Sequence, residues 1–472
     1  MQAVDIIWIR NDLRFRDNPA LSVGAQGPSV LVFTADGVGI PTMGAASRVY
    51  LHHALLSFQK DLKEQYEAPL LIFPSIDTAL QKLQRVVRVE RVLWNRSYEP
   101  TQLERDLALE DKLKAQGIKV GVCRGSILFE PWEIKNKSGQ PFKVFTPFYK
   151  AFLARGAPAE AIGKPKKIIS DPNLSLPEGS VDALRLLPEA PRWDRTLMKG
   201  WPTSEDAWWK AWKSFRQHAL MDYPRGRDLP AVHGTSRMSV PLHYGQISPR
   251  VLFAEARAHA NAGTETWLRQ LVWREFAIAS LFHQPTMDRA PIIAAFQQFP
   301  WDDEEEHRRA WQRGRTGYPI VDAGMRELWQ TGWMHNRVRM IVGSFLVKNL
   351  HLNWTEGSAF FWDTLIDADR ANNAMGWQWV AGCGIDPSPY FRIFNPSLQS
   401  ERFDPEGDYI KRWVPELQEL PPRWIRSPWK APAKIRALAP NYPEPIVDFA
   451  ESRQQALMFY DRIKSGRATA SP

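Results

Sequence analysis

"VDIIWI", residues 4–9, is an apolar, partly β-branched run that meets charge at once in "RNDLRFRD", residues 10–17. A short apolar run bounded by polar residues reads as a buried strand. Four more such runs follow: "SVLVFT" (29–34), "PLLIFP" (69–74), "RVLWN" (91–95) and "IKVGVC" (118–123). Helical spacing occupies the intervals near 45–66, 77–88 and 101–116. Strand alternates with helix, so residues 2–132 are expected to form an α/β domain with a doubly wound parallel sheet. No GxGxxG follows the first run, so the common dinucleotide fingerprint is missing from that turn.

The chain has 472 residues, 44% of them hydrophobic. That length exceeds the roughly 250–300 residues at which one core stops growing, so two domains are expected. Prolines 158, 165, 172, 177, 188 and 191 punctuate a long connector within 133–200. From Trp201 to about residue 468 the spacing turns helical and aromatic, which predicts a mostly α-helical second domain. Lys plus Arg number 61 against 52 acidic residues, a formal charge of +9 that favours a polyanionic partner. Cys123 and Cys383 are the only cysteines, too few for a disulfide framework or a CxxC zinc set. The N-terminal apolar run is too short for a signal peptide, and no later run approaches a membrane span. A soluble, cytoplasmic, monomeric protein is expected, with no obligate protein partner.

No HExxH, GxSxG or Walker loop is present. The acidic "DDEEE" at 302–306 reads as a solvated helix start, not a metal site. What stands out is aromatic and polar residues at helical spacing. In "WLRQLVWREF", Trp267, Gln270, Trp273 and Arg274 fall on one side of a helix. Two indoles, an amide and a guanidinium are poor core material and suit a flat, partly polar ligand. In "GWMHNRVRM" (332–340), Gly332 can stop one helix, and the next offers His335 with Arg339 on one face and Asn336 with Met340 on another. Asp367 or Asp369 of "DADRANNAMGWQW" is a candidate partner for Arg339.

The strings "RTGYPIVDAGMRELWQTGWMHNRVRMIVGSFLVK", "DADRANNAMGWQW", "PYFRIFNP" and "FDPEGDYIKRWVPEL" resemble the DNA photolyase and cryptochrome family, from about residue 4 past 430. The wording is most similar to cyclobutane-pyrimidine-dimer photolyases and to their bacterial subgroup that resembles plant cryptochromes. The resemblance implies a folded-back FAD in the helical domain. From "YPRGRDLPAVHGTSRMS" it assigns Tyr223, Thr235, Ser236 and Ser239 to phosphates and ribose, with Trp267 and Arg274 nearby. It places Asp367 and Asp369 against the isoalloxazine and ribitol, with Arg339 holding Asp367 and Asn373 facing flavin N5. Trp377, Trp354 and Trp301 match the family's electron-transfer triad.

For the substrate, UV-damaged DNA, the same resemblance sets Trp273 and Trp379 as apolar walls against a flipped-out dimer, bordered by Asn336 and Met340. Excited reduced flavin would donate one electron, the cyclobutane ring would split, and the electron would return. Arg227, Arg274 and Arg337, with Gln399, match contacts to DNA phosphates. One position departs: Gln270 stands where cyclobutane photolyases usually carry Glu, as it does in (6-4) relatives and animal cryptochromes. Those (6-4) relatives also use a His pair, whereas this chain has Asn336 and Met340. The cyclobutane dimer is therefore the expected lesion; the alternatives are a (6-4) photolyase and a cryptochrome photoreceptor without repair. Cryptochromes of this kind usually carry a long signalling tail, which this chain is expected to lack. A second antenna chromophore is expected to be methenyltetrahydrofolate, with a deazaflavin as the alternative.

Overall fold

The computed structural model describes residues 2–170, 179–386 and 391–469. Pro172 and Pro177 of the connector, and Pro389 and Tyr390 of "PYFRIFNP", lie outside the described residues. Five strands, β1 (Ala3–Ile9), β2 (Ser29–Thr34), β3 (Leu70–Phe73), β4 (Arg88–Asn95) and β5 (Lys119–Cys123), form one parallel sheet in the order β3-β2-β1-β4-β5. Ile7 of β1 pairs with Leu31 on one side and Leu93 on the other. A central parallel strand is covered on both faces, which explains why Ile6, Ile7 and Ile9 are all fully buried. Helices Ala45–Tyr66, Ile76–Leu83 and Pro100–Ala115 connect the strands. This is the doubly wound arrangement expected, and the remainder is mostly helical.

The chain forms two compact units. One comprises Met1–Met221 with Ser236–Pro285, the other Asp222–Thr235 with Thr286–Pro472. Helix Phe145–Ala154, inside the connector, buries Phe145, Phe148 and Phe152, and packs on helix Thr264–His283. Among the described residues no helix is long and apolar enough to cross a membrane.

Candidate functional site

In the first unit, helix Thr264–His283 carries the face read from "WLRQLVWREF". Trp267 is buried against Trp212 at 4.5 Å, and its indole N–H donates to Ser236 Oγ at 3.2 Å. Ser239 is exposed at the start of helix Ser239–His243. Gln270 and Trp273 are half-buried. The Gln270 Nε2 donates to Thr266 O one turn back, at 3.2 Å. Trp273 lies flat on Phe145, ring centroids 3.6 Å apart and planes within 7°. Arg274 Nη1 donates to Ser126 O at 2.8 Å and pairs with Glu275 at 3.3 Å. Burial pushes the Glu275 carboxyl up to about 7, against the pull of Arg274 and the N–H groups of Leu128 and Phe129. The Arg10 guanidinium is held by Asp106 at 2.7 Å and Asn95 O at 2.6 Å, so it closes a buried network at the end of β1.

In the second unit, helix Pro319–Thr331 ends at Gly332, whose φ of 67° is the left-handed cap that glycine adopts without strain. Helix Asn336–Lys348 follows, with a correction to the expected faces. His335 is not on the helix face but is its N-cap: its Nδ1 accepts the Arg337 N–H at 3.2 Å. Imidazole ends its chain in a ring acceptor that can reach the first free N–H groups, so it replaces the usual Ser or Asp. Its Nε2 is buried without a hydrogen-bond partner, and burial pushes the ring down to about 4. Asn336 is exposed and reaches Met340 Sδ at 3.9 Å. Arg339 Nη2 donates to both carboxylate oxygens of Asp367 at 3.0 Å, which neutralises a buried charge. Asp369 caps helix Arg370–Ala381, accepting the Asn372 N–H at 2.8 Å.

Two partners that no sequence signal marked organise the next layer. Helices Trp354–Thr364 and Arg370–Ala381 pack side by side. Ser358 accepts the Asn373 amide N–H groups on both its O and its Oγ, each at 3.0 Å. One turn on, Trp377 rests on Gly357, where a Cβ would lie 2.1 Å from its Cη2, and on Phe361 at 5.0 Å. Trp354 begins the same helix one turn before Gly357, and both it and Trp377 are buried. The half-buried Trp301 packs on Phe299 at 4.2 Å. A bridge from Asp302 to Leu352, with Asp302 N–H donating to His351 O at 2.9 Å, ties its backbone to the residues just before Trp354.

Trp379 is half-buried and lies 6.5 Å from Phe394. Ser344 Oγ accepts the Phe394 N–H at 3.2 Å and Lys348 Nζ donates to Arg392 O at 2.6 Å, so residues 392–394 are fixed to the Met340 side of that helix. The expected phosphate contacts are partly occupied: Arg337 pairs with Asp228 at 2.7 Å, and Arg227 approaches the same carboxylate at 3.9 Å. Tyr223 is buried beside Arg227, Thr235 is half-buried, and Gln399 is half-buried on helix Pro396–Phe403.

A model of the FAD binding domain of DNA photolyase matches residues 267–462, and a DNA photolyase model matches residues 5–166. The chain belongs to the DNA photolyase family. It is 40% identical to a deoxyribodipyrimidine photo-lyase of Agrobacterium fabrum over 97% of this chain and 98% of that one. It is 36% identical to Cryptochrome-1 of Arabidopsis thaliana, over 95% of this chain and 69% of that one. Among solved structures it resembles a bacterial class III photolyase from Agrobacterium tumefaciens, with TM-score 0.93, 39% identity and 98% of each chain covered. As in other photolyases, the cofactor is FAD. Within the second unit the residues present fit such a group: a neutralised carboxylate at Asp367, a fixed amide at Asn373 and a buried, unpartnered nitrogen on His335.

Proposed function

We propose that this protein is a deoxyribodipyrimidine photolyase, a carbon–carbon lyase that repairs cyclobutane pyrimidine dimers in UV-damaged DNA under blue light. Residues 201–468 serve as the FAD-binding catalytic domain, and 2–132 as the antenna-type domain, joined by 133–200. The observation that carries this reading is the orientation of Asn373. With its N–H groups spent on Ser358, its carbonyl is the end left for a ligand. A neutral acceptor at that position suits a protonated flavin N5, as in the reduced cofactor. FAD, bound and reduced, would supply light-driven one-electron chemistry for opening the cyclobutane ring with no net redox change.

The chain's own residues do the rest. Asp367 and Arg339 hold the ring system, while Tyr223, Thr235, Ser236, Ser239, Trp267, Arg274 and Asp369 hold the remainder of the cofactor. Trp301, Trp354 and Trp377 would relay an electron from an external reductant at the surface toward the cofactor site. Trp273 and Trp379 offer ring surface to the flipped lesion, with Asn336 and Met340 beside it, and flipping is required because a duplex hides the damaged bases. Gln270 supports the same substrate in a way that the Glu-to-Gln change obscures. Its Nε2 gives one N–H to Thr266 O, which leaves its carbonyl as an acceptor, like the carboxylate of Glu, and one further N–H as a donor. The buried acceptors Asn11 Oδ1 and Asp36 Oδ1 have no hydrogen-bond partner in the first unit, and they support a second chromophore that offers N–H donors, such as a folate or a deazaflavin.

Asn373→Asp tests the reading. The added negative charge should oppose reduction, so photoreduction to the fully reduced flavin becomes slower and less complete. An unchanged photoreduction course would remove Asn373 from this role.

A further inference from the structure

The indole of Trp273 is covered by a residue outside those so far assigned. Trp273 is half-buried, and Phe145 covers one of its faces at 3.6 Å with near-parallel planes. Phe145 itself is 1% exposed and is the first residue of helix Phe145–Ala154. Arg269, one turn before Trp273 on the same helix, brings its guanidinium carbon to 5.5 Å from the Phe145 ring and 5.1 Å from Tyr149. The phenyl ring is thus flanked by an i, i+4 pair of one helix. Phe276 closes the group edge-on, 5.8 Å from Phe145 and 5.9 Å from Trp273.

We propose that Phe145 is a positioning residue that fixes the tilt of Trp273 and so sets the surface on which the flipped pyrimidine dimer lands. The inference rests on the repair reading given above for Trp273. With one face covered, the indole's accessible surface is the opposite face and its edges. An indole free to turn would have to be ordered each time a lesion bound, and one already stacked is ordered beforehand. A leucine at 145 would fill much of the volume but could not hold the indole plane.

The test measures binding to an oligothymidine with one cyclobutane dimer and to the same strand undamaged, in the dark, with flavin absorbance as the check on folding. Phe145→Leu should weaken binding to the damaged strand by roughly three- to ten-fold, the range expected for one stacked aromatic pair. It should leave the undamaged strand unaffected, and Phe145→Tyr should bind like the parent. Phe145→Leu combined with Trp273→Phe should be no weaker than Trp273→Phe alone, because the two act as one unit. Retained affinity in Phe145→Leu, or fully additive losses in the double variant, would overturn the proposal. If Phe145→Leu lost its flavin, Arg269→Gln should show a smaller loss in the same direction, and no loss there would also overturn it. Parent protein that bound both strands equally would instead bring down the lesion reading itself, and this proposal with it.

Discussion

His335 shows how one side chain can serve structure in a form that chemistry at low pH removes. As an N-cap it must keep Nδ1 unprotonated to accept the Arg337 N–H, which places the proton of the neutral ring on Nε2. Burial holds its pKa near 4, below the ordinary value of about 6.5. The unfolded chain therefore binds the proton first, and the stability that depends on neutral His335 is present above about pH 6.5 and lost as pH falls toward 4. Between pH 7 and 5 the loss from this residue should be about 2 kcal/mol. Thermal melts of the parent and of His335→Gln at both pH values check this: the parent should lose more than the variant on acidification. Equal losses would show that His335 titrates normally. The motif "GWMHNR" made a helix start at this point legible through Gly332. It did not reveal that the imidazole would be the cap, because His and Asn336 compete for that place and only the backbone angle at 335 decides.

Helices were legible as elements, but their partners were not. Asn373 and Trp377 are four apart, so a helix sets both on one side, and this could be read directly. That Ser358 would hold one and Gly357 seat the other requires a second helix in register, and "WTEGSAFF" carries no mark of either duty. Phe145 was missed for a related reason, since its stretch is bordered by proline and charge that read as connector. The strands were more transparent: a central parallel strand is apolar on both faces, so its pattern survives without knowledge of its neighbours. The seat at Gly357 predicts a specific failure. Gly357→Ala places a methyl 2.1 Å from the Trp377 ring, which should cost about 1–3 kcal/mol of stability and move the indole. Photoreduction should then slow toward the level of Trp377→Phe, while protein reduced chemically beforehand keeps its repair activity. Photoreduction at the parental rate would show that the Trp377 position is not critical.

Across the whole molecule the excess of basic charge was the earliest clue, with a formal +9 pointing to a polyanion. The arrangement of that charge refines the clue, because Arg337 and Arg227 share Asp228. On the proposed reading, DNA phosphates compete with this carboxylate for both arginines, so Asp228 would lower affinity for any DNA. Affinity for damaged DNA should fall with salt, and two to three phosphate contacts predict a log–log slope of about −2 to −3. Asp228→Asn should tighten binding to any DNA without changing which lesion is preferred. A flat salt dependence would contradict this surface.

Repair itself is the most direct measurement. The protein, its flavin reduced in the dark, is mixed with an oligothymidine containing cyclobutane dimers, and the thymine absorbance is followed under blue light. That absorbance should recover under light despite Gln270, and should not recover in the dark. With flavin bound and reduced, failure to recover it under light would contradict cyclobutane repair and turn the search to a (6-4) lesion or to light sensing.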